Sequence, residues 1–359
     1  MKDYKVCVYA ITKNEEKFVR RWFDSMKEAD KIIVLDTGST DNTVSLLKEL
    51  GVDVYEKEIK PWRFDVARNE SLKLVPDDYE ICVCTDLDEV FETGWKEKIL
   101  KSWQEDATRL KYTYNWSFDE YGHPATTYLL NKIHKRNEYV WTHPVHEVLT
   151  PLNSEKEIFC KDIILNHYPD KTKSRNSYLP LLELSVKENS EDDRNMHYLG
   201  REYMYYLRWD ECIETLKKHL NLKSATWKDE RCASMRFIAR SYRAKNEIKN
   251  AIDWYEKAIN EAPYLRESYI ELAYLYYEEQ DYLKGYFYLK RALEIKEKSN
   301  SYINEEFAWN SFPYDLLSVC AFNLELYDEA LLNVKKALEI DKDNLRLKYN
   351  LEEMEKYVK

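Results

Sequence analysis

The sequence predicts an α/β domain with a mostly parallel, doubly wound sheet, followed by an all-α domain of helical repeats. Three observations carry that prediction. Short apolar or β-branched runs alternate with amphipathic stretches through the first half, and such alternation with short links builds a parallel sheet covered by helices. Near residue 190 the strand signals stop. Beyond it, small residues recur at a fixed spacing, the pattern of stacked helix pairs.

Lys5 to Ile11 is apolar and reads as the first strand. Asn14 to Lys27 has helical periodicity, with Phe18, Trp22, Phe23 and Met26 on one face. Lys31 to Leu35 is short and β-branched, a buried strand. Asp41 to Leu50 is helical and ends at Gly51, a residue suited to the position after a helix. Val52 to Tyr55 reads as a strand, Phe64 to Leu74 as a helix that stops before Pro76, and Tyr79 to Thr85 as a strand. Ligands of such sheets bind beyond the carboxyl ends of the strands. The expected domains are residues 1–185 and 190–359.

In the second half, Gly200 and Cys212, Ala239 and Ala251, Ala273 and Gly285, and Ser318 and Ala330 are each twelve apart. Ala258, Ala292 and Ala337 follow the second member by seven, with His219 in that place in the first repeat. Tyr203, Tyr242 and Tyr276 follow the first member by three, and Pro263 breaks the chain after a pair. Two helices pack closely only where small side chains face each other. The step from Ala251 to Gly285 is 34 residues, and the region 194–358 resembles tetratricopeptide repeats, whose period is about 34. Lys298 to Ala308 reads as an inserted loop and Asp343 to Val358 as a capping helix. Trp209, Trp227, Trp254 and Trp309 suit either repeat packing or a groove.

The 359 residues carry a net charge of −11. That balance argues against nucleic acid as a partner, since neutralising phosphates takes clustered Lys and Arg. Nothing reaches the ~20 apolar residues of a membrane span. The opening segment has too short an apolar core for a signal peptide, so the expected compartment is the cytoplasm. Seven Cys at long spacings fit reduced thiols rather than a disulfide framework or a zinc site. Cys82 and Cys84, two apart in a strand, share one face.

Three loops follow three of the strands: Ile11 to Glu16, Asp36 to Asp41, and Asp86 to Glu89. In a parallel sheet all three lie on one edge, which is what a nucleotide site requires. Within Asp86-Leu87-Asp88, an extended backbone would point both carboxylates at one spot. Mg2+ or Mn2+ is held by carboxylate and diphosphate oxygens together, and a cation there offsets charge on a leaving diphosphate. Gly38 permits a turn other residues resist, Thr40 or Asp41 can cap the next helix, and Asp36 is placed to accept hydrogen bonds from a base ring.

The order Thr-Lys-Asn-Glu-Glu from Thr12, Val-Leu-Asp-Thr-Gly-Ser-Thr-Asp-Asn-Thr from Val34, Asp-Val-Ala-Arg-Asn from Asp65 and Asp-Leu-Asp-Glu from Asp86 resembles the family-2 inverting glycosyltransferases of GT-A fold, over residues 4–170. The resemblance implies a nucleotide-activated donor, most often a uridine diphosphate sugar. It implies that Thr12, Asn14 and Glu15 line the nucleotide pocket, with Gly38 and Ser39 in the turn after Asp36. Arg68 would lie near the diphosphate, Asp86 would contact ribose or cation, and Asp88 would be the main metal ligand. Trp141 to Glu147 resembles the same family's Val-His-Glu segment, with Pro144 where a Gly is common. His146 or His167 would complete the metal shell, and Glu147 or Asp119 would take the acceptor proton. Joined to repeats, the domain looks like the S-glycosyltransferases that modify glycocin peptides. That likeness implies a peptide, protein or glycan acceptor and repeats that dock it or form a homodimer. Two other readings are a non-catalytic repeat adaptor with a vestigial first domain and a sugar nucleotidyltransferase, though the latter usually opens with a Gly-rich basic loop absent after the first strand here.

Overall fold

The computed structural model describes residues 4–119, 122–170, 172, 178–299 and 301–358. The chain divides into two compact units, Met1–Glu188 and Asn189–Lys359.

The first unit is an N-terminal α/β domain. Its chain runs β1 (Val6–Thr12), α1 (Glu16–Met26), β2 (Lys31–Asp36), α2 (Thr43–Glu49), β3 (Asp53–Glu56), α3 (Phe64–Lys73), β4 (Ile81–Cys84), β5 (Glu89–Phe91) and α4 (Trp95–Ser102). It continues through β6 (Arg109–Phe118), β7 (Pro124–Lys135), β8 (Tyr139–Thr142), β9 (Val148–Pro151), β10 (Glu157–His167) and α5 (Tyr178–Glu188). Eight strands form one mixed, mostly parallel sheet in the order β3-β2-β1-β4-β7-β6-β10-β5; β8 and β9 pair separately. The wing β3-β2-β1-β4 is wholly parallel. β7 then runs antiparallel to both β4 and β6, and β5 antiparallel to β10.

β1 is buried along its whole length, as a central strand covered on both faces must be. One face packs Val6, Val8 and Ala10 against Phe18, Val19, Trp22 and Met26 of α1. The other packs Cys7 and Tyr9 with Cys82, Cys84, Tyr139 and Trp141. Cys82 and Cys84 thus lie on one face as expected, and all seven cysteines are free thiols. Phe23, expected on the buried face of α1, is only partly covered.

The second unit is helical: α6 (Asp193–Tyr205), α7 (Trp209–Asn221), α8 (Lys228–Ala244), α9 (Ile248–Glu261), α10 (Arg266–Glu278), α11 (Tyr282–Glu294), α12 (Phe312–Asn323), α13 (Tyr327–Ile340) and α14 (Leu345–Glu355). The small residues twelve apart fall on the paired helices α6/α7, α8/α9, α10/α11 and α12/α13, all buried. The stretch from Lys298 to Ala308 holds only the short turn Glu306–Ala308 among its described residues. Among the described residues, no helix is long and apolar enough to cross a membrane.

Candidate active site

β1, β2 and β3 end in register, with Thr12 beside Asp36 and Asp36 beside Glu56. Their loops, and the one after β4, therefore open on the same edge of the sheet. The first two loops are sewn together. Asn14 N–H donates to Ser39 Oγ (2.8 Å), Thr40 N–H donates to Asn14 Oδ1 (2.7 Å), and Glu15 N–H donates to Thr43 Oγ1 (2.8 Å). Thr37 donates twice to the Thr12 carbonyl. The Thr12 hydroxyl is buried and has no hydrogen-bond partner among the described residues. Asp36, 2% exposed, accepts from the N–H groups of Gly38 and Ser39 (2.9 Å each) and from the Ser39 hydroxyl. Its carboxylate thus shapes its own turn, in which Gly38 holds φ 111°. Asn42, not Thr40 or Asp41, is the N-cap residue of α2, but its side chain does not cap; the Asp41 carboxylate takes the Thr43 N–H at 3.0 Å.

Asp86-Leu87-Asp88 is not extended. Glu89 N–H donates to the Asp86 carbonyl (3.1 Å) and closes a turn, while Leu87 is 2% exposed in the core. The two carboxylates consequently meet different partners. Asp86 Oδ1 accepts from Arg68 Nη2 (2.6 Å) and Oδ2 from Lys132 Nζ (3.3 Å). Burial opposes the charge on Asp86, but these two cations outweigh it and hold its pKa well below the usual carboxylate range. Arg68, on α3 and 3% exposed, also donates through Nε to Glu147 Oε1 (3.0 Å). Asp86, Arg68 and Glu147 form a continuous chain.

Asp88 goes the other way. It immediately precedes β5, whose pairing sets Glu89 opposite His167 at the end of β10. The Asp88 carbonyl accepts Tyr168 N–H (2.8 Å), and Asp88 Oδ2 lies 3.3 Å from His167 Nε2. The opposite ring nitrogen of His167 meets the Trp116 carbonyl (3.0 Å), and the Trp116 indole stacks on the imidazole at 4.3 Å. Burial disfavours charge on His167, yet Asp88 and the carbonyl prevail and its pKa is raised. Ligands bonded to one ion at about 2.1 Å stand roughly 3.0–3.4 Å apart, so the carboxylate–imidazole pair has the span and donor chemistry for a divalent cation. Among the described residues no third His, Cys, Asp or Glu completes that pair as a three-ligand group.

His146 takes φ 51° and sets its ring edge-on to Tyr178, 5.6 Å away. His143 also has positive φ, 77°; the turn a glycine would ease is made here by two strained histidines around Pro144. The Pro144 carbonyl accepts Phe64 N–H (2.9 Å), which anchors this turn to the start of α3 and delivers Glu147 to Arg68. Asp119 sits in the β6–β7 turn, accepting His123 N–H at 2.8 Å. Lys132 and Trp116 carry no local sequence signal, and the structure adds them to the site together with Glu89. Glu89 is fully enclosed, accepts from Tyr114 OH (2.8 Å) and the Asp86 N–H (2.9 Å), and has its pKa raised by burial. The one sequence cue was the glutamate closing the Asp-Leu-Asp-Glu run.

Residues 7–153 match the family described as Glycosyl transferase family 2, and residues 237–264 match a tetratricopeptide repeat. An uncharacterized glycosyltransferase of Rickettsia typhi is 44% identical over 59 residues, which are 16% of this chain and 19% of that protein. One of Rickettsia conorii is 44% identical over 59 residues, 16% of this chain and 20% of that protein. The chain thus spans about a fifth of the length of the curated relatives it matches. Among solved structures, MamA is similar at 19% identity and TM-score 0.39, over 49% of this chain and 96% of that one. YrrB, described as a TPR protein with an unusual peptide-binding site, is similar at 19% identity and TM-score 0.40, over 49% and 82%. The chain carries a family-2 glycosyltransferase domain at residues 7–153, followed by tetratricopeptide repeats.

Proposed function

We propose that this protein moves a sugar from a nucleotide-diphosphate donor, a uridine diphosphate sugar foremost, to a hydroxyl or thiol of a peptide, protein or glycan acceptor, by a single displacement with inversion. The observation that carries the proposal is the Asp88–His167 pair, 3.3 Å apart at the carboxyl edge of the sheet, beside the half-buried Arg68–Asp86–Lys132 group.

In this reading Asp88 would hold Mg2+ or Mn2+ through its carboxylate, and His167 would add its imidazole where the ion is Mn2+. When bound, the ion offsets the charge of the departing diphosphate. Arg68 and Lys132 fix Asp86 and offset its charge and that of Glu147, so that these carboxylates do not repel the donor's phosphates. The turn built by Asp36, Gly38 and Ser39, laced to Asn14 and Glu15, forms the nucleotide wall, with Thr12 at its base. Trp116, 47% exposed, offers an aromatic face beside the ion. Glu147 and Asp119 are the candidates to accept the acceptor proton, and a thiol needs less help because its pKa lies nearer neutral. His146 lies one residue from Glu147 and serves as an alternative ion ligand. The repeats take the acceptor or a second copy of the chain.

A donor-hydrolysis screen across nucleotide sugars with Mn2+ tests this directly. Asp88→Ala is expected to abolish hydrolysis and transfer at an unchanged circular dichroism spectrum; turnover at the parent rate would overturn the assignment. Melting with uridine diphosphate and Mn2+ adds a check, since a ligand at 100 times its Kd stabilises by about 2.7 kcal/mol.

A further inference from the structure

A second set of ligating side chains converges in the helical unit. Asp193 lies in the first turn of α6, His219 in the last turn of α7 and Glu230 in the first turn of α8. One ligand atom from each lies within 4.8 Å of the other two. His219 is 0% and Glu230 5% exposed; Asp193 is half-buried. Helix dipoles favour carboxylates at helix starts, which accounts for Asp193 and Glu230. They do not account for the imidazole nitrogen enclosed with them. His219 Nε2 is buried and makes no hydrogen bond, its 3.4 Å approach to Glu230 Oε1 lying outside hydrogen-bond geometry.

The surroundings orient the group as the outer partners of a metal site do. Ser234 Oγ meets His219 Nδ1 at 3.0 Å and His197 Nδ1 at 2.7 Å. That contact fixes the His219 ring and turns Nε2 to the carboxylates. Tyr302 OH donates to Glu230 Oε2 at 2.6 Å and leaves Oε1 facing His219. The neighbouring Arg194 guanidinium lies over the Tyr198 ring, 4.9 Å from its centre.

We propose that Asp193, His219 and Glu230 bind a divalent transition-metal ion, Zn2+ by their chemistry, which fastens the ends of α6, α7 and α8 together. One imidazole and two carboxylates suit Zn2+ and leave a fourth position for water, whereas Mg2+ and Ca2+ take oxygen ligands. Ligands on a tetrahedral ion with 2.1 Å bonds stand about 3.4 Å apart. His219 Nε2 and Glu230 Oε1 already stand 3.4 Å apart, and Asp193, the least enclosed of the three, is the member with room to adjust.

The test uses the full chain carrying Asp88→Asn, so that the sheet edge cannot supply the signal. Calorimetric titration is expected to find one Zn2+ per chain, and Zn2+ but not Mg2+ is expected to raise the melting temperature. Adding Asp193→Asn or Glu230→Gln, each close in shape to the original, should weaken Zn2+ at least tenfold and leave metal-free melting nearly unchanged. Should Glu230→Gln fold poorly, Asp193→Asn at its half-buried helix start decides the matter. No bound Zn2+ in the parent, or equal affinity with and without Asp193, overturns the site. Sugar transfer is not a readout, so this outcome is independent of the catalytic reading.

Discussion

Both units bury a network of two cations and two or more carboxylates, but they suspend it differently. In the α/β unit, Arg68 and Lys132 sit on a helix and a strand, while their carboxylates, Asp86 and Glu147, sit on turns at strand ends. In the helical unit, Arg236 and Arg240 of α8 meet Glu271 in the middle of α10, with Glu305 closing from the inserted loop. Charges held between helix interiors lock one repeat to the next. Charges hung on turns at a sheet edge stand beside a second carboxylate and an imidazole, where a ligand can reach them. The same chemistry thus serves register in one place and a candidate reaction centre in the other.

The largest expected effect tests the sheet edge alone. Asp88→Asn should lower turnover about 1,000-fold, since loss of an ion's several kcal/mol of charge stabilisation is worth a factor of 10 per 1.36 kcal/mol. Melting should scarcely move, because Asp88 keeps its backbone bond to Tyr168. A variant with half the parent rate would remove the distinction drawn between the two networks.

The next pair sets the networks against each other. Arg68→Leu takes the cation from the largely buried Glu147 and leaves Asp86 only its longer contact with Lys132, and should cost about 3 kcal/mol, together with nearly all activity. Arg236→Leu leaves Arg240 on both Glu271 and Glu305, so its cost should be smaller, about 1–3 kcal/mol, with kcat retained at temperatures where the protein is folded. Urea melts and initial rates on both variants check this. Loss of kcat in Arg236→Leu without loss of stability would show that the helical network takes part in turnover.

Each unit also encloses one neutral histidine. Burial pushes His134 down to about 4 and His197 to about 3. A depressed folded value means that the unfolded chain binds the proton first. The stabilisation is complete above pH 6.5 and is lost as pH falls towards those values. For His134 that amounts to roughly 3 kcal/mol. Urea melts from pH 7 to pH 4 should show the decline, and NMR titration should find both rings neutral at pH 5. A ring titrating near 6.5 would break the parallel.

How much of this was legible follows from what local sequence encodes. β2 was expected at Lys31 to Leu35 and spans Lys31–Asp36, because a β-branched run bounded by polar residues is a local signal. The repeat partners were legible for the same reason: Ala239, Ala251 and Ala273 are 0% exposed, and close packing demands small residues at a fixed step. The strand pairings that assemble the inner half of the site were not, although His167 is among the residues expected to ligate an ion. Lys132 reaches Asp86 only because β7 lies antiparallel to β4, with Val83 opposite Ile133, and His167 reaches Asp88 only because three-residue β5 pairs with β10. Those pairings join segments 50 and more residues apart, which no periodicity reports. The Asp-Leu-Asp segment is not extended because the buried Leu87 and the Glu89–Asp86 bond close a turn there.

The smallest expected effects come from two glycines that serve opposite ends. A Cβ at Gly38 would touch nothing within 4 Å, but φ +111° is a backbone that side chains resist. Gly38→Ala should therefore cost about 1 kcal/mol through backbone strain, expressed where the turn matters. The bonds that tie Asp36, Ser39 and Asn14 would be strained, and KM for the donor should rise several-fold while melting falls by only about 2–4 °C. At Gly200 the backbone is helical, and a Cβ would fall 2.3 Å from Leu216 Cδ2 on α7. Gly200→Ala should cost about 2 kcal/mol through overpacking, lowering the melting temperature and leaving KM alone. The pair separates conformation from contact: an unchanged KM in Gly38→Ala would mean that the turn after β2 does not shape the donor site, whatever its hydrogen bonds.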